Sequence, residues 1–581
     1  MRRRYFIPFT LSVLVLLFAS DSIAQTAIQK QEGDDQDGIV STVRVMPDVS
    51  GTTAGPGSPT GIGKPPRVGP NRQVNDVQQP FPNGLLGRSE TSIAASTDGQ
   101  FIVVGWNDAQ GFCTPVFGGG CDPGNQNGLS GFGFSSNGGR TYTDGGAPPV
   151  VNHIFTRGDP WLEHGGFDNS TFYYANLAVH DTTGASLGVS VHRGHFVNGV
   201  FNWEDVQAFN APHTPDDFYD KEAIATAKDG SGAGYVSVTN FIKVCGFPQA
   251  GSGQIEIWRT HDSGATWQGP AVVSPDTTTP NDPNNPNCGS TQILQQSSVP
   301  AIGPDGEVYV VWQFGPTFTS SGTSTNADIF FSRSLDGGVT FSTPISVVAI
   351  NSMRQDPPVG YNRDRFNDHP RVSVATSGAH KGRVYVTYYS AVAPVTVASV
   401  APCPAPVTGL CRGQRLTSSQ VSVTFSDDLG QTWSTPTGLA PAPPDTGVKR
   451  WWPVVTVEPG GNVDVVYEES QETPVATNPF CTIRVATLSN GAALRRRGAA
   501  NSLVDTFWVQ STDGGESFSK PMLVTSATSN WCTAVSNIRP NFGDYIGSVS
   551  GGNQIIPVWH DGRNGVPDVF AAPILGAGKT Q

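Results

Sequence analysis

Five segments of this chain share one eight-residue pattern, and this repeat limits the possible folds more than any other feature of the sequence. The pattern is Ser or Thr, any residue, Asp or Asn, any residue, Gly, any residue, Thr or Ser, and an aromatic residue. Its copies are Ser135–Tyr142, Thr260–Trp267, Ser334–Phe341, Ser426–Trp433 and Ser511–Phe518. The Asp or Asn oxygen can accept hydrogen bonds from turn amides, and Gly tolerates a positive φ. Because a β-prone run precedes each copy, the repeat predicts one hairpin turn five times.

A second repeat consists of an apolar strand such as YVVW, and it occurs seven times. Its copies begin at positions 103, 173, 235, 309, 385, 464 and 556, so they are 62 to 92 residues apart. Units of four short antiparallel strands that recur along a chain are typical of a β-propeller. We therefore predict an all-β chain that forms a single propeller of four-stranded antiparallel blades, with seven blades and with six as the alternative.

The composition agrees with this fold class. The 581 residues include 68 Gly and 46 Pro, and only 14% of them are charged. Because Gly and Pro interrupt helices, an all-α bundle and a coiled coil are excluded. The hydrophobic content of 37% is enough to build a core.

The seventh unit ends at Asp568–Ile574, one strand short of a complete blade. An unpaired strand edge invites aggregation, so another part of the chain must cover it. We expect the strand-like Ile39–Met46 to close the ring, and the Gly- and Pro-rich stretch from Pro47 to Pro82 to be an extended linker or a surface strap. The resulting domain prediction is an N-terminal segment over 25–83 and a propeller over 84–581.

The N-terminus has the features of a secretory signal peptide over residues 1–24. Three arginines precede the apolar run Leu11–Ala19, and Ser22-Ile23-Ala24 is a small-residue cleavage signal. The run is too short to span a bilayer comfortably. We predict a secreted or periplasmic protein, cleaved near Ala24 and without a membrane span, and Arg3-Arg4 leaves twin-arginine export open as the route.

The net charge argues against a nucleic-acid partner. Removal of residues 1–24 takes away three Arg and one Asp, so the formal charge moves from -13 to -15. An acidic surface repels nucleic acid and anionic lipid. We expect a monomer whose partner is a carbohydrate or another extracellular polymer.

The eight cysteines suit an oxidising compartment. Their proximity suggests the pairs Cys113–Cys121, Cys403–Cys411, Cys245–Cys288 and Cys481–Cys532, although the connectivity stays open. The sequence has no CxxC or Cys/His spacing of a metal site. The loops Asp122–Asn127 and Asp276–Pro286 offer oxygen ligands for a structural Ca²⁺ but lack an ordered ligand spacing. We predict neither a cofactor nor a metal site.

The octets resemble the Asp-box, or BNR, repeats of sialidases and related secreted propellers. The phrases ETSIAAS, NDHPRVSVA, NFGDYIG and WHDGRNGVPDVF are similar to a group of bacterial secreted proteins described as sialidase-like or BNR-repeat glycosyl hydrolases. The resemblance covers nearly all of the chain after residue 24. It implies that each box is a structural turn on the outer rim, away from the catalytic centre, and therefore concerns the fold rather than an activity.

In a propeller, the loops that lead into the innermost strands form the usual ligand-binding face. Polar, ionisable or aromatic residues stand at these positions in every predicted blade: Arg88, Glu90, Arg157, Asp159, Asp220, Lys221, Glu222, Ser297, Arg365, Asp368, His369, Arg371, Arg450, Trp451, Trp452, Arg539, Asp544 and Tyr545. One interpretation is a polar funnel around the axis. The other is that inward charges pair with each other and join the blades.

A sialidase needs arginines that hold the substrate carboxylate, a tyrosine nucleophile activated by a glutamate, and an acid/base aspartate. The resemblance implies Tyr545 as the nucleophile, Glu90 or Glu222 as its activator and Asp159 as the acid. The residues expected to bind substrate are Arg88, Arg365, Asp368, Arg371, Arg450, Trp451, Arg539 and Asp544. Three features depart from the family: the Arg-Ile-Pro motif is absent, the strand around Tyr545 reads GDYIGS, and a seventh blade alters the sixfold arrangement on which the family's catalytic geometry depends.

We therefore predict a glycan-engaging propeller or a glycoside hydrolase, of exo-α-sialidase type if it is catalytic. A non-catalytic binding or adhesion propeller is the alternative, and a polysaccharide lyase with His369 or Tyr545 as the base is a third possibility. Trp451 and Trp452 offer a sugar-stacking platform, but neighbours on a strand face opposite ways, so at least one should belong to the blade core. Asp561 and Arg563 fit either a catalytic role or, as the preferred interpretation, a rim salt bridge that fixes the turn after the strand.

Overall fold

The structure is a computed structural model of the full chain. It describes residues 66–77, 86–109, 128–152, 154–180, 188–209, 218–243, 252–275, 291–319, 322–323, 326–354, 356–363, 365–394, 400–402, 410–412, 418–440, 447–472, 486–487, 493–494, 502–538 and 540–576. The regular structure within these ranges is entirely β-strand, and no helix occurs in them. The predicted signal peptide and Ile39–Met46 lie outside the described residues.

Seven four-stranded antiparallel sheets form the blades of a propeller, which confirms the predicted fold and blade number. Two short strands come first in the chain, β1 (Arg67–Val68) and β2 (Arg72–Gln73). Blade 1 contains β3 (Arg88–Ala95), β4 (Ile102–Asp108), β5 (Ser130–Ser135) and β6 (Thr143–Gly146). Blade 2 contains β7 (Ile154–His164), β8 (Thr171–His180), β9 (Gly188–Val197) and β10 (Val200–Phe209). Blade 3 contains β11 (Phe218–Thr226), β12 (Gly234–Lys243), β13 (Ser252–Thr260) and β14 (Gln268–Ser274).

The remaining blades carry small additions to the same plan. Blade 4 contains β15 (Thr291–Ile302), β16 (Val308–Thr319), β17 (Gly322–Thr323), β18 (Asn326–Ser334) and β19 (Ile345–Asn351). Blade 5 contains β20 (Arg371–Val374), β21 (Val384–Ala391), β24 (Ser419–Ser426) and β25 (Thr437–Gly438), with the hairpin β22 (Val400–Pro402) and β23 (Leu410–Arg412) inserted. Blade 6 contains β26 (Val448–Val457), β27 (Val463–Glu472), β30 (Ser502–Ser511), β31 (Met522–Leu523) and β32 (Ser529–Asn530), with β28 (Ala486–Thr487) and β29 (Ala493–Leu494) inserted. Blade 7 contains β33 (Gly547–Gly551), β34 (Gln554–Asp561), β35 (Asp568–Ala571) and β36 (Ile574–Leu575).

The second strand of each blade is an apolar run because it is covered on both faces. Every residue of β4 is buried, and Val308 to Trp312 of β16 are fully buried. Such strands pack against the neighbouring blades as well as within their own sheet, so that apolar clusters continue from blade to blade. This two-sided burial explains the repeated Y-V-x-W element of the sequence.

The five octets form the predicted hairpin turns. In each, the Asp or Asn side-chain oxygen accepts the amide of the residue four positions later at 2.8–3.0 Å. The hydroxyl of the leading Ser or Thr accepts the amide of the shared Gly at 2.7–3.0 Å. That Gly has a φ between 78 and 95° in all five copies, and residues other than Gly rarely adopt such a φ.

These turns also contact the preceding blade. The hydroxyl of Tyr173 in blade 2 donates to the Ser263 carbonyl oxygen of the blade 3 turn at 2.6 Å. Tyr385 of blade 5 donates to the Gly514 carbonyl oxygen of the blade 6 turn at 3.0 Å. Each octet therefore shapes its own hairpin and also attaches that hairpin to its neighbour.

The ring is closed at its outer edge by the N-terminal part of the described chain. Strand β2 pairs antiparallel with β35, with Arg72 opposite Ala571 and Gln73 opposite Phe570. Strand β1 pairs with β36 in the same sheet. The strand that pairs with this edge is Arg72–Gln73, within the stretch predicted to be an extended linker or a surface strap. These two residues supply the missing ladder partner, whereas Ile39–Met46 lies outside the described residues.

Long connections lie at one end of the blades. Glu472 and Ser502 are separated by 29 residues, and Ala391 and Ser419 by 27 residues. Because adjacent strands are antiparallel, the connections between second and third strands emerge at the end where each inner strand begins. This end carries the side chains described next.

Candidate active site on the propeller axis

The inner strands of five blades contain the same irregularity near their start. Strand pairing skips residues there, and one residue other than Gly adopts a left-handed φ: Glu90 (54°), Asp159 (55°), Lys221 (53°), Ser297 (65°) and Trp452 (50°). A bulge re-aims side chains, and left-handed residues of this kind gather at functional sites. The bulge removes the strict alternation of a strand, so the consecutive Lys221 and Glu222 line one pocket.

Three of these bulge residues meet on the axis. Lys221 Nζ lies 2.7 Å from Asp159 Oδ2, 2.9 Å from Asp544 Oδ2 and 3.0 Å from Glu90 Oε1. Burial by itself would lower the pKa of Lys221, but these carboxylates outweigh it and raise the pKa well above its usual value. One ammonium group thus joins blades 1, 2 and 3 to the segment that leads into blade 7.

Asp544 accepts hydrogen bonds through both of its carboxylate oxygens. Its Oδ1 accepts the Tyr361 hydroxyl at 2.9 Å and the Arg363 guanidinium, and its Oδ2 accepts Asn367 Nδ2 at 3.1 Å beside Lys221. Burial opposes ionisation, but Arg363 and Lys221 hold the pKa of Asp544 well below its usual value. The carboxylate is fully buried, so its contacts favour a positioning role over the predicted contact with substrate.

A small pocket opens beside this ion cluster. Its lining combines the predicted candidates Glu222, His369 and Tyr545 with residues of blades 2 and 4; the full lining is Trp161, Lys221, Glu222, Ser297, Ser298, Val299, His369 and Tyr545. The inner strands of five blades, or the loops that lead into them, therefore deliver aromatic, carboxyl, imidazole and hydroxyl groups to one place. The convergence of these polar groups beside two aromatic rings makes the recess the candidate ligand site.

Glu222 is the unpartnered acid of this pocket. It is 2% exposed, and neither carboxyl oxygen has a hydrogen-bond partner on another residue in the described part of the chain. Burial first, and then the charge of Asp159, raise the pKa of Glu222 well above its usual value. The environment therefore favours a neutral carboxylic acid, which can donate a proton.

Tyr545 is held by the backbone. Its hydroxyl donates to the Pro160 carbonyl oxygen at 3.0 Å, and Glu90 accepts Asn107 Nδ2 at 2.9 Å as well as contacting Lys221. Burial, followed by the charges of Glu90 and Asp159, raises the pKa of Tyr545 well above its usual value. These contacts differ from the activated tyrosine–glutamate pair that the family resemblance implies.

His369 lies between Ser297 and the ion cluster. Its Nε2 is 3.0 Å from Ser297 Oγ, and its ring centroid is 5.9 Å from that of Tyr545. Burial lowers the pKa of His369 well below its usual value, against the opposing effect of Asp544. The imidazole is consequently neutral near pH 7 and able to accept a proton.

Two further carboxylates lie just outside the pocket. Asp220 accepts Gln296 Nε2 at 2.7 Å, and Asp368 accepts the Met353 amide at 2.9 Å together with the Ser352 hydroxyl. Burial raises the pKa of both groups to about 6. Asp368, which was expected to bind substrate, instead fixes the segment that precedes it.

Arg371 supports the aromatic wall of the pocket. Its guanidinium carbon lies 4.3 Å from the centroid of Trp161 and 5.3 Å from that of Tyr545. No carboxylate among the described residues pairs with it, and burial lowers its pKa to about 10. The contacts with both rings give Arg371 a direct part in orienting them.

The other predicted substrate residues have partners within their own blades. Arg88 Nε lies 3.3 Å from Asp108 Oδ2, Arg450 Nε lies 2.6 Å from Glu469 Oε2, and Trp451 Nε1 donates to Glu468 at 3.0 Å. These contacts favour the interpretation in which inward charges stabilise the blades. Trp451 and Trp452 are both buried, Arg365 is half-buried and outside the pocket lining, and Arg539 lies outside the described residues.

Several residues of the site were not singled out from the sequence. Trp161 follows the bulge at Asp159 by two residues, while Tyr361 and Arg363 belong to the segment before β20. A search restricted to residues directly before inner strands misses them, because a loop can return to the axis from farther away. The Asp561–Arg563 salt bridge, at 2.6 Å, is present as predicted.

In the described ranges, no three His, Cys, Asp or Glu side chains are grouped so that they would hold a metal ion. The same ranges contain no helix with the length and apolarity needed to cross a membrane. The loops Asp122–Asn127 and Asp276–Pro286, and at least one cysteine of every predicted pair, lie outside the described residues.

Comparison with known proteins yields distant structural likeness only. No family model matches the chain, and no curated protein matches it. A polysaccharide lyase described as an ulvan lyase is 10% identical, with 88% of this chain and 98% of that chain covered and a TM-score of 0.42. The alpha-L-arabinofuranosidase of Fusarium graminearum is 12% identical over 69% and 92% of the two chains, with a TM-score of 0.39. Trypanosoma rangeli sialidase is 11% identical over 74% and 56%, with a TM-score of 0.34. At such identities these likenesses carry no argument about activity.

Proposed function

We propose that this chain is a secreted or periplasmic propeller that acts on carbohydrate through its axial pocket, as a glycoside hydrolase with Glu222 as the proton donor. The observation that carries the proposal is the carboxyl group of Glu222, buried in the pocket without a hydrogen-bond partner on another described residue. A glycosidic oxygen needs a proton as its bond breaks, and a carboxylic acid with a raised pKa supplies it. The signal-peptide pattern of residues 1–24 supports export.

The surroundings of Glu222 suit a sugar. Trp161 and Tyr545 place aromatic rings on the pocket wall, and the apolar face of a pyranose or furanose ring stacks on such surfaces. The charge of Asp159 is close enough to raise the pKa of Glu222. A carboxylic acid beside a carboxylate is the arrangement that most glycoside hydrolases use against an oxocarbenium-like transition state.

The contacts of Tyr545 favour this assignment over sialidase chemistry. In the sialidase alternative, Glu222 or Glu90 activates the Tyr545 hydroxyl. Here that hydroxyl donates to a backbone carbonyl, and Glu90 is engaged by Lys221 and Asn107. We therefore assign Glu222 to the glycosidic oxygen rather than to Tyr545.

A polysaccharide lyase is the second candidate, and the neutral His369 is the observation that favours it. A lyase removes the proton α to a uronate carboxylate, which requires an unprotonated base. His369 lines the pocket with a lowered pKa. The two activities differ in their products, since a lyase leaves an unsaturated sugar that absorbs ultraviolet light and a hydrolase does not.

The test is turnover of defined carbohydrates by purified protein. Arabinobiose, a fluorogenic sialoside and ulvan are incubated with wild type, Glu222→Gln and the control Glu163→Gln, whose carboxylate pairs with Lys228 on the surface. We expect new reducing ends without ultraviolet absorbance, lost by at least about 100-fold in Glu222→Gln and kept in Glu163→Gln. Ultraviolet-absorbing products would show that the protein is a lyase rather than a hydrolase. Absence of turnover by folded wild type on all three substrates would reject the enzyme proposal and leave a binding propeller.

A further inference from the structure

Ser297 and His369 form a side-chain pair that neither glycoside hydrolysis by Glu222 nor the ion cluster employs. Ser297 Oγ lies 3.0 Å from His369 Nε2. The two residues are 72 positions apart in the chain and come from the inner strand of blade 4 and the segment before blade 5. Both line the axial pocket. A hydroxyl within hydrogen-bond reach of an imidazole is the minimum arrangement of an activated serine nucleophile.

Ser297 occupies the left-handed bulge position that the inner strands of five blades share. Its φ is 65°, and the pairing of β15 with β16 resumes at Val299 after Gln296, which leaves Ser297 and Ser298 without cross-strand partners. A sharp, left-handed turn lifts a serine hydroxyl out of the plane of its sheet and towards a ligand. The strain at such a position is retained where it serves a site.

His369 is unprotonated, as a general base must be before it accepts a proton. Its surroundings, dominated by burial, keep the pKa of the imidazole well below its usual value, so Nε2 is free to accept the Ser297 proton when Nδ1 carries the ring hydrogen. Glu222 lines the same pocket with an unpartnered carboxyl group. In its protonated form this group is a hydrogen-bond donor for charge that develops on a carbonyl oxygen.

We propose that Ser297 is a nucleophile, that His369 is its general base, and that the axial pocket cleaves small acyl esters. The pocket is small, so we take acetyl, a small acyl group, as the one to test. The nature of the alcohol rests on the proposed function, under which it is a sugar hydroxyl. The acyl-transfer step itself does not depend on glycoside hydrolysis.

The reaction balances with water as the co-substrate. The Ser297 hydroxyl transfers its proton to His369 Nε2 as Oγ bonds to the carbonyl carbon. The tetrahedral intermediate collapses, the bond between this carbon and the alcohol oxygen breaks, and the alcohol leaves with the proton from Nε2. Water then attacks the acyl-serine, gives a proton to Nε2 and bonds to the carbonyl carbon. The bond to Oγ breaks, Oγ regains the proton, and a carboxylic acid is released.

The experiment uses a fluorophosphonate probe, which reacts with activated serines, and p-nitrophenyl acetate. The variants are Ser297→Ala and His369→Gln, with Ser190→Ala as the matched control, because Ser190 lies outside the pocket and its buried hydroxyl has no partner among the described residues. We expect one label per chain, mapped to Ser297 by peptide mass spectrometry, and a burst of nitrophenolate equal to the protein concentration. His369→Gln should slow labelling by about 100-fold or more, whereas Ser190→Ala should be labelled at the wild-type rate.

Three results would overturn the proposal. They are folded wild type that is not modified at Ser297 and shows no burst, labelling of His369→Gln at the wild-type rate, and loss of labelling in Ser190→Ala to the same extent as in Ser297→Ala. Site mapping on wild type decides the question even if a variant does not fold. Labelling of Ser297 without carbohydrate turnover would reject only the proposed function, and carbohydrate turnover without labelling would reject only this inference.

Discussion

Lys221 Nζ lies 2.7 Å from Asp159 Oδ2, and this contact joins the inner strands of the second and third blades on the propeller axis. The same ammonium group contacts Asp544, which precedes blade 7, and Glu90 of blade 1. The ring is therefore closed both at its outer edge and at its axis. At the outer edge Arg72–Gln73 completes the last sheet, and at the axis one lysine connects the first blade to the last.

Replacement of Lys221 by Met should destabilise the protein strongly. The variant keeps the bulk of the side chain but leaves three buried carboxylates without their common cation. Breaking a buried ion pair costs about 3–5 kcal/mol, so we expect a loss of that size in the free energy of unfolding, measured with urea. Lys228→Met is the control, because the Lys228–Glu163 pair is partly exposed and should contribute less than about 1 kcal/mol. Equal losses in the two variants would contradict the axial role of Lys221.

Asn75→Ala should weaken the outer closure of the ring. Asn75 Oδ1 accepts the Val569 amide at 2.7 Å, and its Nδ2 donates to Asp568 Oδ1 at 2.9 Å. Both partners are buried, and a buried group that loses its hydrogen bond costs about 1–3 kcal/mol. We expect a lower unfolding temperature and faster proteolysis than in the control Asn169→Ala, whose bond to Asp98 is exposed. Matching behaviour of the two variants would show that Asn75 does not secure the closing strand.

Gly430→Ala should disturb the contact between an octet turn and the blade before it. Gly430 has a φ of 81°, and a Cβ atom there would lie 2.2 Å from Phe331 of blade 4. Backbone strain of about 1–2 kcal/mol then adds to overpacking of about 1–3 kcal/mol. Gly461→Ala is the matched control, because its φ is 88° but nothing lies within 4 Å. Chemical denaturation should show the larger loss for Gly430→Ala, and a similar loss in both would mean that the turn does not dock tightly.

Stability should fall as pH rises through the range in which Asp368 titrates. Its pKa is about 6 in the folded protein because it is buried, against about 3.9 in an unfolded chain. The folded state therefore binds the proton more tightly than the unfolded chain does. Asp368 consequently adds its full stabilisation to the folded state below about pH 4, and this stabilisation is lost as pH rises through 6. Asp368→Asn should show a smaller decline in unfolding free energy between about pH 4 and pH 7, measured by urea titration at each pH. An unchanged slope in the variant would contradict the raised pKa.

The fold was largely predictable because its signals are local and repeated. An octet needs only its own eight residues to form a turn, and an apolar second strand needs only two covering faces. The identity of the closing strand was not predictable in the same way, because Arg72–Gln73 contains neither a repeat nor an apolar pattern. Its pairing with β35 depends on where the ring brings the chain.

The sequence predicted where the candidate site lies, but not which side chains contact each other there. Glu222, His369 and Tyr545 were chosen because they lie where inner strands begin, and all three line the pocket. Arg88 and Arg450 met the same criterion but pair with carboxylates of their own blades. The criterion locates the starts of strands, whereas the direction of each side chain depends on the bulge and on its neighbours in space.

By itself, the sequence determined an all-β propeller, with seven blades predicted and six as the alternative, since turn chemistry and strand burial repeat along the chain. Only the tertiary structure decided which charges neutralise each other and which remain available. Lys221 meets three carboxylates from three other parts of the chain, Ser297 meets His369 across a blade boundary, and Glu222 is left without a partner on another described residue. Contacts of this kind arise when the ring closes around its axis and removes these groups from water, and short-range sequence patterns do not record that event.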